Sequence, residues 1–128
     1  MATAAIDEAR LEEFMGRAVT DMSAAMSAPL MVIGDKLGLY RAMAGAGPLS
    51  SADIAAKAES DERMVREWLA NQVAGGYVEY DADSDRYELP PEHAMALADS
   101  APIEAGSASI EVRLMVRFAQ FPDDRASE

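Results

Sequence analysis

The sequence predicts a mainly α-helical fold: a winged helix-turn-helix with a two-stranded β-hairpin wing, preceded by a long N-terminal helix suited to dimerisation. Three observations carry this. The run from Leu49 to Leu89 reads in order as helix, tight turn, helix, glycine stop, strand, turn and strand. Apolar residues recur at helical spacing from Leu11 to Met26. Half of the 128 residues are hydrophobic and only 27% are charged, enough apolar material for a packed core and against global disorder.

The first helix is expected from Asp7, with Leu11, Phe14, Met15, Ala18, Met22, Ala25 and Met26 on one side. Pro29 should end or kink it, because proline lacks a backbone donor and clashes with the preceding turn. A second helical stretch then covers Leu30 to Leu37, broken by Gly38, and a short helix holding Leu39, Tyr40 and Met43 ends at Gly45 and Gly47. Pro48 introduces the helix-turn-helix. Ser51 is the expected N-cap of its first helix, which places Ile54, Ala55 and Ala58 on one face. Asp61 opens the next helix, with acidic residues near its positive end. Its stripe is Met64, Val65, Trp68, Leu69, Gln72 and Val73, and Trp68 and Leu69 are expected to be core against the Leu37–Tyr40 region.

Gly75 and Gly76 stop that helix, since glycine takes the left-handed conformation at no steric cost. Val78 and Tyr80 alternate with Tyr77 and Glu79, and Tyr87 and Leu89 mirror them across the turn Asp81–Asp85. Pro90 and Pro91 suit a helix entry over Glu92–Leu97. Residues 107–121 read both ways: Ile110, Val112, Leu114, Val116 and Phe118 alternate, whereas Arg113, Arg117 and Gln120 share a helical face. Helix is preferred, because a lone last strand would need an open edge to pair with. The chain therefore divides into an N-terminal helix (1–30), a winged-helix body (31–99) and a C-terminal helix and tail (100–128).

Composition narrows the function. There is no cysteine, which excludes disulfides and thiolate metal sites. No signal-peptide pattern or membrane-length apolar run occurs, so a cytoplasmic protein without a membrane partner is expected. The formal net charge is −12. Nucleic-acid binders neutralise phosphate with Lys and Arg. Here the second helix of the motif sets Asp61, Glu62 and Glu67 against Arg63 and Arg66. The wing sets Glu79, Asp81, Asp83, Asp85 and Glu88 against Arg86 alone. Both elements that would meet DNA are acidic, so standard-mode DNA binding is not expected.

The search for chemistry returns mostly negatives. His93 is the one histidine and reads as a surface or capping residue. No nucleotide-binding glycine loop occurs. Asp81, Asp83, Asp85 and Glu92 have EF-hand spacing, but Arg86 stands where glycine is needed, so an acidic turn is the better account and no metal is expected. No catalytic residue is assigned. Leu11, Phe14, Met15, Met22 and Met26 form the candidate site, as a homodimer interface or an apolar ligand groove, because methionine repacks readily around partners. A plain core stripe is the bland alternative.

The segments LGLY, GPLSSADIA, RMVREWLANQVAGGYVE and YELPPEHAMAL, from Met31 to Leu97, resemble the N-terminal winged-helix domain of class I S-adenosylmethionine-dependent methyltransferases of the O-methyltransferase-like group. The resemblance implies a domain that dimerises through intertwined N-terminal helices and helps wall a substrate pocket. In that family the cofactor sits on the glycine-rich loop of a following Rossmann-like domain. No such loop occurs in these residues, so no cofactor is expected on this chain. The leading expectation is a non-catalytic dimerisation and substrate-lid module. The alternatives are a stand-alone protein binding an apolar small molecule in a Met-lined dimer groove, and a winged-helix transcriptional regulator.

Overall fold

The computed structural model describes residues 4–98 together with 109, 110 and 114. Five helices and one hairpin appear among the described residues: α1 (Glu8–Lys36), α2 (Leu39–Met43), α3 (Ser51–Lys57), α4 (Glu62–Ala74), β1 (Glu79–Asp81), β2 (Arg86–Glu88) and α5 (Pro91–Leu97). This is the mainly helical winged helix-turn-helix that the sequence predicts.

α1 starts where expected, with Asp7 as N-cap accepting from the Arg10 amide. It does not stop at Pro29, and the expected break there is corrected: one helix runs on to Lys36. Proline removes only the hydrogen bond to the Ala25 carbonyl, and Ala25 lies on an exposed turn where water can take that acceptor. Beyond Pro29, tertiary contacts hold the helix. Trp68 Nε1 donates to the Leu30 carbonyl at 2.8 Å, and Gly34 is buried directly under the indole ring. Gly38, at φ 73, then turns the chain into α2.

The cap of α3 also differs from expectation. Ser50, not Ser51, is the N-cap, and its Oγ accepts from the Asp53 amide at 3.1 Å. The reason lies far along the chain: Leu49 exchanges two backbone hydrogen bonds with Tyr87, at 2.7 and 2.8 Å, and this bridge keeps the chain extended up to Ser50. Ser51 is the first helical residue, and its hydroxyl donates to Glu62 Oε1 at 2.8 Å, linking α3 to the start of α4. Asp61 caps α4 by accepting from the Met64 amide, and Gly76 at φ 77 closes its C-terminal end.

The core gathers Tyr40 and Met43 of α2, Ile54 of α3, Val65, Trp68 and Leu69 of α4, and Val78 and Leu89 at the ends of the hairpin. Trp68 (4% exposed) and Leu69 are core, as expected. Tyr40 meets the Trp68 ring edge-on, with centroids 5.0 Å apart. Met64 is the exception on the α4 stripe and faces solvent. In the wing Glu79 pairs with Glu88, Tyr80 with Tyr87 and Asp81 with Arg86, so the turn is one residue shorter than expected. Ile110 and Leu114 are helical, and Ile110 joins the core. The remaining residues of the expected 107–121 helix, and the tail after it, lie outside the described residues.

Candidate functional site

The N-terminal half of α1 is the feature that no described residue covers. Leu11, Phe14, Met15, Met22 and Met26 are all exposed, Met22 at 67% and Met26 at 74%, with Val19 beside them. They do not form a core stripe. The apolar face also continues past the expected break: Ile33 on α1 and Leu37 at its C-cap are exposed as well. Sequence reading assigned both to a separate helix. The signal that would have found them is their spacing, since Ile33 follows Met22, and Leu37 follows Met26, by eleven residues.

At this C-terminal end the stripe opens into a groove of about 530 Å³ between α1, α2 and α4. Leu30, Ile33, Leu37 and Leu39 form one side, and Met64, Val65 and Trp68 the other. Glu59, Asp61 and Glu67 stand on its rim with no basic residue among the lining. Glu59 sits in the left-handed region at φ 52, at the tight turn joining α3 to α4. The volume lies within the roughly 300–1,000 Å³ range of ligand and docking clefts.

Behind the groove a polar network locks α1, α2 and α4 together. The Tyr40 hydroxyl donates to Gln72 Oε1 at 2.5 Å, Gln72 Nε2 donates to Asn71 Oδ1, and Asn71 Nδ2 donates to Ser27 Oγ of α1 at 3.4 Å. Gln72 is fully buried, and its backbone carbonyl accepts the Tyr77 and Val78 amides at the start of the wing. Burial pushes the Tyr40 phenol well above its ordinary value, with the charge of Asp35 adding to the effect, so this hydroxyl stays a donor.

The surfaces that would meet nucleic acid are acidic in space as well as in sequence. Arg66 is clamped to Glu62 by hydrogen bonds between 2.5 and 3.1 Å, which holds the Glu62 carboxyl below the usual range. Arg86 lies 3.9 Å from Asp53. At the wing tip, Asp81 accepts from the Asp83 amide and Ser84 hydroxyl, and the Tyr80 hydroxyl donates to Asp85. Those carboxylates build the turn. His93 is not a free surface residue: its Nδ1 donates to the Tyr77 carbonyl at 2.7 Å and ties α5 to the wing. No helix among the described residues is long and apolar enough to cross a membrane.

A two-stranded wing behind a helix-turn-helix whose second helix packs through Trp68 defines a winged helix-turn-helix domain. The profile of the Rv2258c-like winged HTH domain matches residues 24–99, more than half of the chain, and the chain belongs to that family. No curated protein matches it. Among solved structures it is similar to PigF with SAH, at 21% identity and a TM-score of 0.57 over 83% of this chain. It is also similar to human N-acetylserotonin methyltransferase in complex with SAM, at 18% identity and a TM-score of 0.53 over 80% of this chain. The chain spans about a third of the length of these two, covering 32% and 29% of them. At such identities the likeness is one of fold.

Proposed function

We propose that this chain serves as the dimerisation and substrate-wall module of a methyltransferase-type protein, its α1 pairing with α1 of a second copy. The observation that carries the reading is the uncovered apolar face of Leu11, Phe14, Met15, Met22 and Met26. A helix half of that length, ~28 Å from Glu8 to Met26, finds no cover among the described residues, where the first hydrogen bond from α1 to the rest of the domain is at Ser27. Left bare it is a contiguous patch of the kind that marks association sites, and a two-fold pairing covers the same patch on both chains. The fold likeness to PigF with SAH and to human N-acetylserotonin methyltransferase with SAM supports the second half of the reading, and the acidic α4 and wing favour it over DNA recognition.

Light scattering at micromolar concentration is expected to report twice the 13.7 kDa chain mass. Phe14→Asp combined with Met22→Asp should return the chain to a monomer that binds an apolar dye. A wild-type monomer without dye binding would refute the pairing.

A further inference from the structure

The α1 stripe has a spacing that reads the same from either end. Its members are Leu11, Met15, Ala18, Met22, Met26, Leu30, Ile33 and Leu37, with steps of four, three, four, four, four, three and four. The midpoint falls at Ala24. An eleven-residue recurrence drifts little against the 3.6-residue turn, so the face stays on one side of the helix. A palindromic face on a helix meets its own spacing in a second copy related by a two-fold axis perpendicular to it.

We propose that two copies pair α1 antiparallel about Ala24, so that the N-terminal end of each α1 seats in the groove of the other copy. This rests on the dimer reading above and adds its register. Leu11 faces the partner's Leu37, Met15 the partner's Ile33, Ala18 the partner's Leu30 and Met22 the partner's Met26. Large residues meet large ones except at Ala18, where a small side chain meets Leu30, itself partly buried against its own core. One contact thus resolves two deficits. The N-terminal half of α1 gains the cover that the described residues do not supply, and the groove beside Met64 (69% exposed) gains a filling.

The antiparallel arrangement keeps the two acidic groove rims apart. The rim of the groove carries Glu59, Asp61 and Glu67. Pairing α1 in parallel would bring the two rims to the same end of the helix pair, where like charges oppose each other. In the antiparallel pair the two rims lie at opposite ends, and the end of α1 that each one meets carries Arg10 and Arg17 together with Asp7, Glu8, Glu12 and Glu13.

The chain has no cysteine, so introduced thiols report alone. Leu11→Cys, Leu37→Cys and the double variant are treated with a short bismaleimide and run on a denaturing gel, with light scattering on the same samples. Within one chain the two positions are ~39 Å apart along the helix, too far for the reagent. The expected result is a covalent dimer in the double variant and none in either single variant. A dimer from Leu11→Cys alone would establish parallel pairing and overturn the proposal. No cross-link at all, with the dimer mass retained, would overturn the register and leave the dimer reading standing. A monomeric mass for the wild type would remove both.

Discussion

Gly34→Ala tests the docking of α1 on its own domain, and its outcome is decided by two opposed effects. In an exposed helix interior, Gly→Ala stabilises by ~1 kcal/mol. At Gly34 the added Cβ would overlap the Trp68 ring, lying 2.8 Å from Cε2 and 3.0 Å from Nε1. Carbon atoms pack best at roughly 3.5–4.0 Å, so helix or ring must shift by about an ångström. The ring has little room, because Nε1 is bonded to the Leu30 carbonyl and its face is met by Tyr40. Overpacking of this kind costs ~1–3 kcal/mol, and a strained indole hydrogen bond adds about 1. The net expectation is a loss of roughly 1–3 kcal/mol, or about 5–20 °C in Tm for a body of this size. Trp68 is the sole tryptophan, so urea denaturation followed by its fluorescence reads the same site. Gly16→Ala is the control: its Cβ meets nothing within 4 Å, and helicity should rise with no loss of stability. A Gly34→Ala midpoint at or above wild type would mean that α1 does not lie against Trp68.

Trp68→Ala should cost ~3–5 kcal/mol in the same assay, from lost burial and a cavity beneath α1, and an unchanged midpoint would place Trp68 outside the core. Tyr40→Phe leaves the Gln72 Oε1 acceptor buried without its donor and should cost ~1–3 kcal/mol, whereas adding Gln72→Met should recover part of that loss. The acid limb of the stability curve should depend on Glu62. Arg66 and Ser51 hold its folded-state pKa below the unfolded one, so its contribution is present above the unfolded carboxylate value and is lost as pH falls through the lowered folded value. Acid titration by circular dichroism should therefore show a shallower limb for Glu62→Gln, and an identical limb would sink the assignment.

The helix-turn-helix and wing were legible because each signal was local. Glycines stop α4, alternation marks the hairpin, and the 3.6-residue stripe places Trp68 and Leu69 inside. The misreadings fall where a distant contact decides between local equals. Ser50 and Ser51 are equivalent caps in sequence, and the choice is made by Leu49 pairing with Tyr87, nearly forty positions away. Pro29 carries a local stop signal, which is overridden because Trp68 and Gly34 fasten the helix beyond it. His93 reads as a surface residue until its bond to the Tyr77 carbonyl is seen. The groove is not legible for a related reason: with a break expected at Pro29, Ile33 and Leu37 do not join the stripe that starts at Leu11.

Two lines of residues run along α1, and they change character at different places. The line that docks on the domain is Glu12, Gly16, Thr20, Ser23, Ser27, Met31 and Gly34, and before Ser27 it holds nothing able to bury apolar area. Ser27 touches Asn71, Met31 packs against the core and Gly34 meets Trp68, so this line matches the extent of the chain's own body. The second line, Leu11 through Leu37, keeps its apolar character along the whole helix, most of it exposed whether or not the domain lies behind it. Packing among the described residues accounts for the first line and not for the second. A surface whose apolar period ignores where its own domain begins is the surface that the proposed pairing with a second α1 would cover along its whole length.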